Sequence, residues 1–258
     1  MINKITSIDN EKIKHLRKLN QVKYRKEFGQ FFVENVVIIR DALLGGYKYQ
    51  QLFVTPEFVD KNNGLYKEIV GQAGEKEIYI IDEKINKSFS NLDTAPGICA
   101  VYSVDEKKFS MSDQIIYLNN ISIPGNLGGI LRSALAFGFN NIVLDKQCVD
   151  MYNYKVIQAA KEAIFKLNIN IDNDGSILKK IKNNMEVYST SLKGDENVLV
   201  NLKNKDKFCL VFGNESHGVD KDILELSDKL VKIKISDEIE SLNVANSAAI
   251  IFYELFKD

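Results

Sequence analysis

The chain has 258 residues, of which 45% are hydrophobic and 27% charged, with a net charge of −1. That is apolar material for one large or two ordinary globular domains, and it excludes a disordered, collagenous or strongly basic chain. No apolar run approaches the ~20 residues of a membrane-spanning helix, and the Lys-bearing amino terminus has no signal-peptide core, so the expected setting is the cytoplasm and no membrane.

In chain order, residues 8–19 have a helical period, with Ile13, Leu16 and Leu19 on one face. Short apolar strands are predicted at 30–34 and 51–55, with a helix at 36–44 between them. A helix at 57–70, a strand at 77–82 and a strand at 97–103 complete a small α/β domain over residues 1–105. The polar stretch 106–113 reads as a linker. From residue 114 the pattern restarts. Strands are predicted at 115–118, 141–144, 186–190, 207–212 and 230–235. Helices are predicted at 127–137, 154–164, 176–183, 221–226 and 243–256. Fully apolar strands alternating with helices predict a mostly parallel sheet covered on both faces over residues 114–258.

Ligands of such sheets bind outside the carboxyl ends of the strands. Three polar clusters follow strands here. The first is Ile123-Pro124-Gly125-Asn126-Leu127-Gly128-Gly129, with Arg132 further along the same helix. The second is Gly213-Asn214-Glu215-Ser216-His217-Gly218, and the third is Glu240-Ser241-Leu242-Asn243, which runs into the small residues Val244 to Ala249. They are expected to converge on one composite site. Ser241 and Asn243 are both suited to capping the last helix, and the small residues let that helix approach other backbone closely. The glycine-rich turn suits a phosphate or carboxylate at a helix N-terminus, and equally a tight strand–helix turn. It is neither a Walker A loop nor a dinucleotide fingerprint.

Arg132 is the only arginine beyond Arg40 in a lysine-rich chain, which draws attention to its planar, permanently charged fork. Glu215 is a strand-end carboxylate, and His217 beside it reads as loop surface or as a base. Cys99, Cys148 and Cys209 stand singly, without a CxxC pair, so no metal site is expected. The first thirty residues concentrate Lys14, Arg17, Lys18, Lys23 and Arg25 against few acids, a segment suited to tracking a phosphate backbone or simply a solvated helix face.

Taken in order, the three clusters resemble the signature motifs of the SpoU-type (TrmH-like) branch of the SPOUT RNA methyltransferases: Asn126 through Arg132 to Gly138, Gly213-Asn214-Glu215 with Gly218, and Ser241-Leu242-Asn243-Val244. Tyr24-Arg25 to Glu34, and Asn91 to Val101, are similar to the RNA-binding domain often fused to that catalytic domain. The resemblance implies S-adenosylmethionine as methyl donor, transfer to a ribose 2′-hydroxyl of RNA (ribosomal RNA over transfer RNA), and a homodimer packed through the catalytic domains. It also implies a deep trefoil knot, which periodicity alone cannot indicate. Carried onto this chain, it makes Asn126, Arg132, Glu215, Ser241 and Asn243 the active-site set. It places the cofactor against Ser191, Leu192, Gly213, Asn214, Ile233, Ile235 and Leu242, and gives the basic N-terminal residues the RNA.

Three positions depart from the family pattern: Ile123 stands where an acid usually precedes the proline, Lys161-Glu162 interrupt a small-residue stretch, and Lys234 replaces a common proline. The competing readings are a knotted RNA-binding assembly factor with little or no transfer, and a nucleotide-binding α/β enzyme using 125–129 as a phosphate loop.

Overall fold

The computed structural model describes residues 2–73, 76–105, 111 and 113–256. The expected linker, 106–113, lies outside them apart from Met111 and Asp113. The chain forms two compact units, one running up to Asp105 and taking in Tyr152–Gln158, the other comprising the rest. The excursion of 152–158 into the first unit was not expected. Within that unit Tyr152 stacks on Phe31 with ring centroids 4.3 Å apart, and Asn35 donates to Gln158 at 3.0 Å.

The first unit contains β1 (Ile2–Lys4), α1 (Glu11–Leu19), α2 (Val22–Phe28), β2 (Gln30–Val33), α3 (Val36–Leu44), β3 (Gln51–Val54), α4 (Pro56–Lys61), α5 (Asn63–Ala73), β4 (Glu77–Ile80), α6 (Glu83–Phe89) and β5 (Ile98–Ser103). Its strands form a mixed sheet in the order β1-β4-β3-β5-β2, parallel on the β1–β4–β3 side and antiparallel through β5. Asn10 starts α1 by accepting the N–H of Lys12, and Ile13, Leu16 and Leu19 pack on Phe32, Phe53, Phe89 and Val101. The helix expected over 57–70 is two helices. Asn62 donates its side chain to the Phe58 carbonyl at 3.1 Å, competing with the helical ladder at the break.

The second unit contains β6 (Ile115–Leu118), α7 (Pro124–Ala136), β7 (Asn141–Asp145), the end of α8 (Tyr154–Ala160, which belongs to the first unit up to Gln158), α9 (Ala163–Lys166), β8 (Asn168–Asp172), α10 (Ser176–Lys182), β9 (Val187–Asp195), α11 (Asn197–Leu202), β10 (Cys209–Phe212), α12 (Lys221–Leu226), β11 (Lys229–Val231) and α13 (Val244–Leu255). Its sheet is parallel throughout, in the order β11-β9-β10-β6-β7-β8. Every residue of β6, β7 and β10 is buried, as a sheet covered on both faces requires. One face packs Ile115, Tyr117, Val143 and Val211 against Leu178 and Ile181 of α10 and Ile223 of α12. On the other, Phe252 of α13 stacks on Phe139 at 4.8 Å and meets Phe212 edge-on. A Cβ built on Gly129 in α7 would lie 3.3 Å from that of Ala245 in α13, so the small residues there do serve close packing.

Two expectations shift. The helix over 154–164 breaks at Lys161, a non-glycine residue with φ 55°. The strand expected over 230–235 stops at Val231, because β11 pairs only with β9 and its register slips between Leu230 and Val231. That early exit frees Lys232, Ile233 and Ile235 to face a cavity.

Candidate active site

The parallel topology gathers the carboxyl ends of β6, β9, β10 and β11 side by side. After β10 the chain turns sharply. A Cβ on Gly213 would come within 2.2 Å of the Gly218 and Val219 backbone, so only glycine fits there. Asn214 and Gly218 exchange two backbone hydrogen bonds of 2.9 Å, with Gly218 at φ 71°, and the Asn214 carboxamide oxygen accepts the N–H groups of Ser216 and His217. Glu215 is carried on this closed turn.

Helix α7 begins with Pro124 in its first turn, and its N-cap, Ile123, has no side-chain capping bond, the structural consequence of the missing acid. One turn in, buried Asn126 donates Nδ2–H to Glu215 Oε1 at 2.6 Å. Its Oδ1 accepts Nδ2–H of Asn243 at 3.0 Å. Asn243 caps α13, accepting the N–H groups of Ala245 at 2.9 Å and Asn246 at 3.3 Å. One carboxylate and two carboxamides thus connect all three clusters. Ser241, also suited to capping from sequence, takes no part in it.

Beside this chain of bonds lies a cavity of about 600 Å³, within the ~300–1,000 Å³ of small-molecule sites. Ser191, Leu192, Gly213, Asn214, Ile233, Ile235 and Leu242 all line it, as do Glu215, Ser241 and His217. Asn126, Asn243 and Arg132 are not in its lining. Ser241 makes no side-chain hydrogen bond among the described residues. Arg132 is exposed and has no hydrogen bond or ion pair among them. Sequence reasoning missed Lys193 and Lys232, which add two cations to the wall; each adjoins an expected lining position, Leu192 or Ile233, and that adjacency was the available signal.

Burial pushes the thiols of Cys148 and Cys209 well above their ordinary range, so neither supplies a thiolate nucleophile. Among the described residues no group of His, Cys, Asp and Glu could hold a metal ion, and no helix is long and apolar enough to cross a membrane.

The basic N-terminal residues divide. Lys14, Lys18 and Lys23 are exposed, and the ammonium groups of Lys18 and Lys23 lie 5.5 and 5.4 Å from the Tyr24 ring centroid. Arg25, expected to face RNA, is 6% exposed and donates to the Leu19 carbonyl at 2.7 Å. Arg17 likewise donates to the Ile8 carbonyl at 2.5 Å. An arginine whose fork closes a turn presents little of its charge outward.

A family description, SpoU rRNA Methylase family, matches residues 113–253, and a second, MRM3-like substrate binding domain, matches residues 10–100. Fold and site together define a methyltransferase of the SPOUT class. The chain belongs to the SpoU rRNA methylase family. It is 28% identical over 255 residues to the 23S rRNA (guanosine(2553)-2′-O)-methyltransferase RlmP of Bacillus subtilis, covering 97% of this chain and 98% of that one. A crystal structure of an RNA 2′-O ribose methyltransferase superposes with a TM-score of 0.76 at 27% identity, covering 98% of this chain and 97% of that chain. That of an AdoMet-bound rRNA methyltransferase from Sinorhizobium meliloti, at 22% identity and the same coverage, has a TM-score of 0.82 and confirms the fold.

Proposed function

We propose that this protein transfers a methyl group from S-adenosylmethionine to a ribose 2′-hydroxyl of RNA, with ribosomal RNA favoured over transfer RNA as substrate. The observation that carries the reading is the bonded chain Glu215–Asn126–Asn243 at a cavity lined by every residue expected to hold the cofactor. The lining suits that cofactor: Leu192, Ile233, Ile235 and Leu242 offer apolar surface, while Lys193, Lys232 and Glu240 offer charges of both signs for an amino-acid end. Bound there, the cofactor supplies an already reactive methyl sulfonium.

What the protein adds is alignment and help with a proton. Glu215 holds the Asn126 carboxamide, and Asn126 holds Asn243, so the rim of the site is fixed before RNA arrives. The unpaired Ser241 hydroxyl is free to orient the ribose. Arg132 clamps a phosphate and stabilises charge on the attacking oxygen; a guanidinium stays protonated and does not act as the base. The N-terminal unit grips RNA through Lys14, Lys18 and Lys23.

Homodimerisation through the second unit belongs to the same reading. It is supported by exposed Tyr253 of α13 and Phe256 just past its end, which cluster with Phe137 at 6.0 and 5.9 Å. The close α7–α13 packing at Gly129 and Ala245 supports a knotted C-terminal segment. The setting that fits is the cytoplasm.

The test is transfer of label from S-adenosylmethionine to unmodified ribosomal RNA transcripts, ribosomal subunits and transfer RNA. Label at one alkali-resistant site of one RNA class is expected. Cofactor binding without label in any RNA would replace this reading with the assembly factor.

A further inference from the structure

The turn that carries Glu215 does not hold itself in place. Its leading residue, and Asp220 just past its trailing end, are bonded to two asparagines, Asn119 and Asn120, that follow β6 and lie outside the cavity lining. At the leading end, Asn214 donates Nδ2–H to the Asn120 carbonyl at 2.9 Å. At the trailing end, Asp220 and Asn119 form a two-point pair: the Asp220 N–H donates to Asn119 Oδ1 at 2.8 Å, and Asn119 Nδ2–H donates to Asp220 Oδ2 at 2.9 Å. The same Asn119 amide donates to Asp145 Oδ2 at 2.7 Å. Asp145 in turn accepts the backbone N–H of Asn120 at 3.0 Å, fixing that residue in a left-handed conformation with φ 55°.

The chemistry at position 119 is restrictive. Asn119 is 1% exposed and Asp145 9% exposed, so their polar atoms depend on partners within the protein. A carboxamide supplies two N–H donors to two converging carboxylates and one oxygen to a backbone N–H. An aspartate would add a third carboxylate, and an apolar residue would remove the donor that bridges the two acids, leaving Asp145 to the backbone N–H groups of Asn120, Gln147 and Cys148. The joined β6, β7 and β10 ends therefore form one rigid base for the turn.

We infer that Asn119 is a positioning residue for the proposed methyl transfer: through Asp220 and Asn120 it clamps the chain on both sides of the 214–218 turn and so sets Glu215 against Asn126. The inference rests on the transferase reading, since its effect on rate passes through Glu215.

Because Asn119→Ala strips the bridging donor from two acids at once and threatens folding, the test uses the trailing pair. Asp220→Ala removes the acceptor of Asn119 Nδ2–H, whereas Asp220→Asn keeps an oxygen there. For Asp220→Ala, kcat is expected to fall about 10-fold or more, with RNA KM, cofactor Kd and melting temperature close to wild type. Asp220→Asn should recover most of the rate. Hydrogen exchange gives a readout independent of activity: the Asn214 and Gly218 amides should exchange faster in Asp220→Ala and return toward wild type in Asp220→Asn. A wild-type rate in Asp220→Ala, equal loss in both variants, or unchanged exchange overturns the inference. If the wild-type protein methylates no RNA, the transferase reading fails, and exchange at those two amides still decides whether the clamp exists.

Discussion

Asn126 and Glu215, 89 residues apart in the chain, meet in a 2.6 Å hydrogen bond between the first turn of α7 and the loop after β10. The bond joins an amide donor to a carboxylate, the stronger kind of pairing, and sets the rotamer through which Asn126 also receives Asn243. Glu215→Ala leaves the Asn126 donor unsatisfied and frees the rim of the site. A bond to a charged group contributes about 1.5–3 kcal/mol to stability, so the melting temperature should fall by several degrees, and the loosened rim should lower kcat on the order of 10–100-fold. Single-turnover transfer kinetics check this, and a loss confined to RNA KM would assign Glu215 to substrate binding.

Arg132 lies on the same helix but stands apart, exposed and unpaired among the described residues. Nothing in the fold needs its charge, so Arg132→Ala should leave thermal stability unchanged and cofactor affinity within a few-fold while abolishing transfer. Arg132→Lys should rescue poorly, since a point charge does not reproduce a planar fork. Isothermal titration with the cofactor beside a transfer assay separates the effects. Transfer at the wild-type rate in Arg132→Ala would remove the residue from the mechanism.

The sequence was most legible where burial is complete. Strands β6, β7 and β10 are continuous apolar runs because both faces are covered, and their limits were read closely. β8 escaped notice because Asn168 to Asp172 forms an edge strand in which only Asp172 is buried. Helix α2 escaped because it is short and its one buried residue is Arg25, which leaves no apolar stripe. The same fact misleads about RNA binding: a basic residue in a basic segment looks exposed, yet the Arg25 stem is buried and its fork binds a carbonyl. At the site, the residue types of Asn126, Glu215 and Asn243 flagged them, but their mutual bonds depend on strand order, which a linear pattern does not contain. For the same reason nothing in the linear pattern singles out Asn119.

RNA affinity tests the division among the basic residues. Replacing Lys14, Lys18 and Lys23 with Ala should weaken binding to any RNA and reduce the salt slope by about one unit for each phosphate no longer neutralised. Lys14 pairs with exposed Glu11, a surface bridge too weak to withhold it from phosphate. Arg25→Ala should instead lower the melting temperature while leaving the slope unchanged. Filter binding across a salt series, with thermal unfolding of each variant, distinguishes the two classes. An Arg25→Ala protein that is stable but has a shallower slope would return that arginine to the RNA surface.

Glu34 offers a pH-dependent test of the first unit. It is 5% exposed, its Oε2 accepts the Asn91 N–H at 3.1 Å, and its Oε1 has no partner. Burial is the largest influence and raises its pKa above the ordinary 4.5, against the opposing bonds from Ser90 and Asn91. The folded state therefore binds this proton more tightly than the unfolded chain does. The resulting stability is fully present below about pH 4.5 and is lost as pH rises through the folded value. Glu34→Gln removes the ionisation and keeps an oxygen for the Asn91 N–H. Relative to wild type it should gain stability as pH is raised from about 4 to about 7, and the difference should level off once Glu34 is fully ionised. Thermal unfolding of both proteins across that range checks the sign, and a difference that shrinks with rising pH would mean that the carboxylate is better satisfied than its burial implies.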